Sequence, residues 1–417
     1  MAIILNNMKK IFSLLLISST LWIGSLMAQK STSLESLLPQ INADSLLQTV
    51  TDLQNFQSRF ALRPGGNQAV AEYIANRLNN YGITAKIDTF HQAGQNWLVG
   101  AYDQDFYNVR GVLPAVNAKD DSLVLIGAHL DAISYDHQTW QLLEMAPGAD
   151  DNASGVAVML EMARICHENN LRFNRDIHFM AYDGEELGLF GSYHDAQKRS
   201  ATGEKIAVMI NNDMVGFQPD SNWRMMLHWY DNSLDVVSRA ADICAQYTDI
   251  DPYIPSSSEN NNARASDSYA YYQNGFRAVF AIEYTFSTSY HTDHDVADSN
   301  NYAYHADVAR YNLAMLAEYA GLDDGVGVED QPHIATMRVY PNPVSEKAVV
   351  RYQLTEASPI AITITDMMGR VVMQQDFSNQ SAGLHIEELD MARFPAGVYL
   401  CRLQTAKGTE TTKLVKR

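Results

Sequence analysis

The chain has 417 residues, 46% of them hydrophobic and 19% charged, with a formal net charge of -19. This is long and apolar enough for buried cores in more than one domain, and it excludes an intrinsically disordered protein. The acid excess argues against a nucleic-acid partner, and three dispersed cysteines, Cys166, Cys244 and Cys401, are too few for a disulfide framework, with only a Cys166–Cys244 pairing left open.

In chain order, the first expected element is a secretory signal at residues 1–28. Lys9 and Lys10 precede an apolar run in MKKIFSLLLISSTLWIGSLMA, Met8 to Ala28, that ends in small or flexible residues, so the mature chain should begin near Gln29. The run is short for a membrane anchor. No later stretch reaches the roughly 20 apolar residues that span a bilayer, so no transmembrane anchor is expected in the mature chain. Ser31 to Gln54 has helical potential, and GGNQAVAEYIANRLNNY places Val70, Tyr73, Ile74 and Leu78 at helical spacing before Gly82.

β-type and helical runs then alternate. YNVRGVLPAV and SLVLIGAHLD read as strands, Ser154 to Glu168 as a helix, DIHFMAYDGEE as a strand, Leu187 to Lys198 as a helix and KIAVMINNDM as a strand. A helix from Ser233 to Tyr247, a strand from Phe276 to Tyr284 and a helix from Tyr302 to Gly321 follow. The alternation predicts an α/β domain over residues 29–322, with a mostly parallel central sheet flanked by helices.

Residues 323–334, rich in Gly and acids, read as a linker. Residues 335–417 change character: AVVRYQL, PIAITITD, RVVMQQDF, GLHIEEL, GVYLCRLQ and ETTKLVK are short β-type runs separated by turn residues, as in a small all-β sandwich. Residues 333–417 carry ten Lys or Arg against eight Asp or Glu, unlike the acidic remainder.

The chemistry-bearing residues sit at the ends of the apolar runs of the α/β domain. SLVLIGAHLD ends in His129 and Asp131, two apart and so on one face of the strand; a His there can bind a metal while a nearby carboxylate orients its other ring nitrogen. PGADDNASG places Asp150 and Asp151 before a helix start, where either could instead serve as the cap. Adjacent acids of this kind are disfavoured unless exposed, separated or neutralised by a cation. Glu185 and Glu186 follow a β run in which neighbouring side chains diverge, so one can hold a metal while the other faces a metal-bound water. NNDM supplies Asp213, and SYHTDHD supplies His291 with Asp295 four residues later. Strand carboxyl ends are where ligands gather on open parallel sheets. Three carboxylates and one bridging hydroxide would balance two divalent cations, with neutral histidines completing the shells.

GAHLDA, PGADDNASG, AYDGEELGLFGS, INNDM and YHTDHD, in this order across about residues 35 to 320, resemble family 28 of the zinc metallopeptidases, the two-zinc bacterial aminopeptidases of the leucyl aminopeptidase kind. The resemblance implies a metallo-aminopeptidase that hydrolyses N-terminal residues from peptides and uses two Zn2+ ions. Asp151 would bridge them and be followed by the family's cis peptide to Asn152. His129 and Asp213 would complete one zinc, Glu186 and His291 the other. Glu185 would be the general base, taking a proton from the bridging metal-bound water and passing it to the leaving amine, with Asp131 behind His129. Zinc itself rests on the resemblance, since His, Asp and Glu also suit cobalt or manganese. One departure stands out: ASDSYAYYQNGFRA has Ser266 and Asp267 but Ser268 where the family commonly has His, which touches substrate preference more than hydrolysis. Met214, Tyr269, Tyr284, Phe286 and Tyr290 are candidates for an apolar pocket or for ordinary core.

In the terminal module, YPNP, the GVY strand and the basic TTKLVKR ending resemble the C-terminal sorting domain of the type IX secretion system. This implies the type IX machinery as a partner and an exported protein, extracellular or on the outer-membrane surface of a Gram-negative bacterium. A carbohydrate-binding or adhesive β module is the structural alternative. For the whole chain the alternatives are a glutaminyl-peptide cyclotransferase of the same fold and a non-catalytic surface binding protein.

Overall fold

The computed structural model describes residues 33–116, 118, 120–323, 334–354, 357–367, 370–405 and 408–417. The expected signal at residues 1–28 and most of the expected linker lie outside the described residues. The chain divides into two units, Met1–Val326 and Gly327–Arg417.

The first unit is built on an eight-stranded sheet. In chain order its strands are β1 (Thr84–Asn96), β2 (Gly100–Leu113), β3 (Ser122–His129), β4 (Ile177–Tyr182), β5 (Lys205–Asn212), β6 (Arg224–His228), β7 (Asp251–Tyr253) and β8 (Ala278–Glu283), arranged β1-β2-β4-β3-β5-β8-β6-β7. The central run β4-β3-β5-β8 is parallel, as is β6-β7, while β1-β2, β2-β4 and β8-β6 are antiparallel. The mostly parallel α/β expectation therefore stands.

The physical cause is burial on both faces. β4 and β8 are buried throughout, and β3 at every position after Ser122, which requires the near-continuous apolar runs seen in the sequence. Alternate residues enter different cores: Val124, Ile126 and Ala128 pack in one cluster, and Leu123 and Leu125 in another. The first cluster is closed by helices α1 (Ala43–Gln54), α2 (Gln68–Asn80), α3 (Ala153–Glu168), α5 (Leu234–Tyr247) and α7 (Tyr302–Leu316), and the second by α4 (Phe190–Thr202) and α6 (Ser268–Gln273). α3 is buried on nearly every side, as its apolar composition demands.

Some elements go beyond the expected ones. β1 has no counterpart among the expected elements, and β2 extends the expected strand upstream to Gly100; together they form a long hairpin whose outer residues are polar and largely exposed, so no apolar run marks it. β6 and β7 are short, and α6 lies in the tyrosine-rich stretch after Asp267. The last helix ends at Leu316 and continues as one π-helical turn, Ala317–Gly321. Cys166, Cys244 and Cys401 are all free and buried, so the open Cys166–Cys244 pairing is not made. Among the described residues no helix is long and apolar enough to cross a membrane.

The second unit is all β and antiparallel. A three-stranded sheet pairs Ile334–Tyr340, Lys347–Leu354 and Gly383–Asp390, and a four-stranded sheet pairs Val371–Gln380, Ser358–Asp366, Gly397–Thr405 and Thr409–Lys416. Strict alternation buries Ala348, Val350, Tyr352 and Leu354 from one sheet against Ile360, Ile362, Ile364, Cys401 and Leu403 from the other, which is a sandwich core. The YPNP motif contains two cis X-Pro bonds, Tyr340–Pro341 and Asn342–Pro343.

Candidate metal centre

Adjacent parallel strands end side by side, and their carboxyl ends carry the candidate ligands. His129 is the last residue of β3, Asp213 directly follows β5, and Glu185 and Glu186 lie three and four residues beyond β4. Asp151 lies one residue before the N-cap of α3, Asn152, whose side chain accepts the Gly155 amide at 2.9 Å. The Asp151–Asn152 peptide is cis. Close packing fixes this entry: a Cβ on Gly155 would fall on the Asn212 carbonyl oxygen, so only glycine lets α3 approach the end of β5. His291 comes from the loop after β8 and holds a left-handed backbone conformation, φ 57°.

The side chains converge in two groups that share one carboxylate. His129 Nε2 lies 3.1 Å from Asp151 Oδ1 and 3.2 Å from Asp213 Oδ1. His291 Nε2 lies 3.1 Å from Asp151 Oδ2 and 2.9 Å from Glu186 Oε2. Among the described residues, these two sets, His129-Asp151-Asp213 and Asp151-Glu186-His291, are the groups whose donor atoms lie close enough to hold a metal ion. Asp151 thus offers one oxygen to each, the arrangement a bridging ligand requires.

The electrostatics show how much positive charge the site demands. Burial alone would lower both imidazoles, yet Asp213 and Glu185 hold His129 well above its ordinary value, and Glu186 and Asp151 push His291 up to about 12. Burial raises Glu186 to about 7 against the pull of His291, and it raises Glu185 well above the usual carboxylate range, with Asp213 and Glu186 adding to the rise. Asp151 goes the other way: burial is outweighed by its two imidazole partners, and it is held below the usual range. Nε2 of His291 makes no hydrogen bond despite its near oxygens, as expected when lone pairs converge on a point between them. Nitrogen and oxygen donors with shared buried negative charge fit a pair of divalent cations.

Surrounding groups fix this geometry. Asp131 Oδ1 accepts the Glu185 amide at 3.1 Å, Oδ2 accepts the Glu186 amide at 3.2 Å, and Oδ1 is 3.4 Å from His129 Nδ1. Asp295 accepts the amides of Asp150 at 2.9 Å and Asp151 at 3.0 Å. Ser266 donates to Asp213 Oδ2 at 2.6 Å. Fully buried Arg59 donates to the carbonyls of Leu130, Pro147 and Gly148, tying the end of β3 to the loop that carries Asp151. Burial lowers its guanidinium to about 10, with Asp295, Asp131, Asp151 and Glu186 opposing the fall. Arg59 has no motif to announce it, because its partners are backbone carbonyls.

A cavity of about 280 Å³ opens onto His129, Asp151, Glu185, Glu186 and Asp213, and its apolar wall is Met214, Phe280, Ile282, Phe286 and Tyr290. Of the residues left open between pocket and ordinary core, Tyr269 packs against Tyr230 and Tyr272, and Tyr284 against Tyr253 and Arg224, while Met214, Phe286 and Tyr290 line the cavity. Phe280 and Ile282, which also line it, belong to β8, within the strand expected from Phe276 to Tyr284. Ser268 reaches the Tyr230 hydroxyl at 2.9 Å and does not line the cavity.

The sequence model described as peptidase family M28 matches residues 108–316, half of the chain, and that described as a secretion system C-terminal sorting domain matches residues 338–417. A probable leucine aminopeptidase of Arthroderma otae is 25% identical over 305 residues, covering 70% of this chain and 77% of that protein. Among solved structures, a zinc aminopeptidase from Bacillus subtilis is similar with a TM-score of 0.54 at 16% identity, covering 67% of this chain and 95% of that one. The glutaminyl cyclase of Fimbriiglobus ruber is similar with a TM-score of 0.52 at 17% identity, covering 66% and 94%. At these identities the two structures speak for the fold alone.

Proposed function

The chain belongs to peptidase family M28 and is a metallo-aminopeptidase, and from that premise we propose that it removes apolar N-terminal residues from peptides outside the cell, with two zinc ions as cofactors. The observation that carries the reading is Asp151 turning one oxygen toward His129 and the other toward His291. His129, Asp151 and Asp213 would hold one ion, and Asp151, Glu186 and His291 the other. When bound, such ions supply Lewis acidity that lowers the pKa of a water and polarises the scissile carbonyl.

The protein's own part in the reaction falls to Glu185. It is buried beside the candidate ligands yet belongs to neither metal group, so its carboxylate is free to take the proton from the attacking water and deliver it to the nitrogen of the leaving amine. Asp131 keeps Glu185 and Glu186 in place through their amides and faces the other ring nitrogen of His129. The apolar wall of Met214, Phe280, Ile282, Phe286 and Tyr290 receives the first side chain. No Lys or Arg is among the described residues lining the cavity, and a free ammonium suits their acidic surroundings better than a peptide's C-terminal carboxylate does. This favours amino- over carboxypeptidase action.

The sorting domain and the Met8–Ala28 signal support export through the type IX machinery, to the medium or the outer-membrane surface of a Gram-negative bacterium. The test is hydrolysis of a leucine anilide by the full-length mature protein before and after chelation. Undiminished hydrolysis without metal overturns the reading. Mass analysis of a peptide beginning with glutamine separates it from cyclase action: hydrolysis releases an amino acid, cyclisation releases ammonia.

A further inference from the structure

The cavity has room for about one side chain, so the remainder of a peptide must run over the surface beyond it. One way out is paved with aromatic rings. Tyr135 sits edge-on to His291, with centroids 5.4 Å apart, and its hydroxyl is 3.2 Å from His291 Nδ1. Trp140 stacks on Tyr135 at 5.2 Å, and Trp97 meets Trp140 edge to face at 5.3 Å. Trp97 is 76% exposed and Trp140 50% exposed. Neighbouring exposed tryptophans on a folded surface mark an interaction site.

The patch is held in place from both sides. Trp97 stands in the tip of the β1-β2 hairpin, where Asn96 Oδ1 accepts the Leu98 amide at 2.8 Å. Trp140 has a left-handed backbone, φ 60°, an unfavourable state for a bulky residue. Its loop enforces that state: Asp136 Oδ1 accepts the amides of Gln138 and Thr139 at 2.8 Å each, and the Trp140 amide donates to the Asp136 carbonyl at 2.7 Å. His137 Nε2, 3.0 Å from the Tyr290 carbonyl oxygen, ties the same loop to the ring that stacks on His291.

We infer that Trp97 and Trp140, continuous through Tyr135 with the metal centre, form a platform for apolar residues downstream of the scissile bond of a peptide substrate. This rests on the aminopeptidase reading. The occupant follows from continuity, because the ring series starts at a candidate metal ligand and leads away from the cavity. Its three steps of a little over 5 Å each match the reach of about four or five extended residues at roughly 3.4 Å per residue.

The experiment compares the full-length mature protein with Trp97→Ala and with the double variant Trp97→Ala/Trp140→Ala on three substrates: leucine anilide, leucyl-pentaglycine and a hexapeptide of leucine, four phenylalanines and glycine. Two lost aromatic contacts should lower kcat/KM for the phenylalanine peptide by about tenfold in the double variant, mainly through KM. The anilide and the pentaglycine peptide, which offer no apolar side chain beyond the first, should change less than twofold. Trp97→Ala alone, at an exposed hairpin tip, should show a smaller loss of the same pattern and guards against misfolding of the double variant. Equal losses on all three substrates, or an unchanged phenylalanine peptide, overturn the platform while leaving the aminopeptidase reading intact. A parent protein that hydrolyses none of the three overturns that reading and the platform with it.

Discussion

Asp131 accepts the backbone amide of Glu185 at 3.1 Å, with the same oxygen 3.4 Å from the His129 ring. One carboxylate therefore sets the position of the proposed base and faces the inner nitrogen of a proposed ligand. Asp131→Asn keeps the volume and one acceptor oxygen but replaces the other by an NH2 group, which must turn toward an amide or the ring. A loss of roughly 10- to 100-fold in kcat is expected, as for other residues that orient metal ligands, together with weaker zinc retention on dialysis. Unchanged kcat and zinc content would show that Asp131 is ordinary buried structure.

Glu185 and Glu186 are neighbours in sequence with different duties in the proposed mechanism. Glu186 faces His291 at 2.9 Å, whereas Glu185 belongs to neither candidate metal group. Glu185→Gln should therefore retain zinc near the parent level while kcat falls by about 10²- to 10⁴-fold, the range for loss of a general base. Glu186→Gln should lose metal. Metal analysis beside turnover reads both, and a fully active Glu185→Gln protein ends the assignment.

Arg59 is a buried cation whose guanidinium serves three backbone carbonyls, those of Leu130, Pro147 and Gly148. Arg59→Leu keeps the packing volume roughly but leaves these acceptors without a donor and removes a positive charge from beside buried acids. Each stranded acceptor costs about 1–3 kcal/mol, so a destabilisation on the order of 3–5 kcal/mol is expected in urea unfolding, after allowance for relaxation. A change below about 1 kcal/mol would mean that water or a rearranged loop replaces the guanidinium.

What could be read from the sequence followed from burial and chemistry. β3, β4, β5 and β8 are deeply buried, so their composition had to be apolar and their ends stood out against the acids that follow. Three of the candidate ligands share a further property: His129, Asp213 and Glu186 each stand at or just past the point where an apolar strand stops. β1 offered no such contrast, because a hairpin edge exposed along most of its length can be polar at most positions. Arg59 and Asp295 act on backbone groups, which leave no partner side chain to recognise. Tyr284 and Phe280 show the remaining ambiguity: alternation gives Phe280, Ile282 and Tyr284 one face, yet only the first two line the cavity, because Tyr284 lies one residue past the strand and meets Tyr253 edge to face.

His178 allows a pH prediction remote from the metal centre. It lies on β4 with Nδ1 3.1 Å from Arg199 Nη1, so the ring accepts from a cation and is neutral in the fold. Burial, then the charges of Arg199 and Arg110, lower its pKa from 6.5 to about 3. The unfolded chain takes up this proton near pH 6.5, while the folded protein refuses it until about pH 3. Between those values the unfolded state binds more protons, so the contribution to stability is complete above pH 6.5 and is lost as pH falls, by about 1.4 kcal/mol per pH unit. His178→Gln removes the titrating group. Urea unfolding at pH 7 and pH 4.5 should therefore show a loss on acidification about 2–3 kcal/mol smaller in the variant than in the parent, other acid-sensitive groups being common to both. Parallel losses in the two proteins would mean that the ring is protonated in the fold, with Arg199 displaced from it.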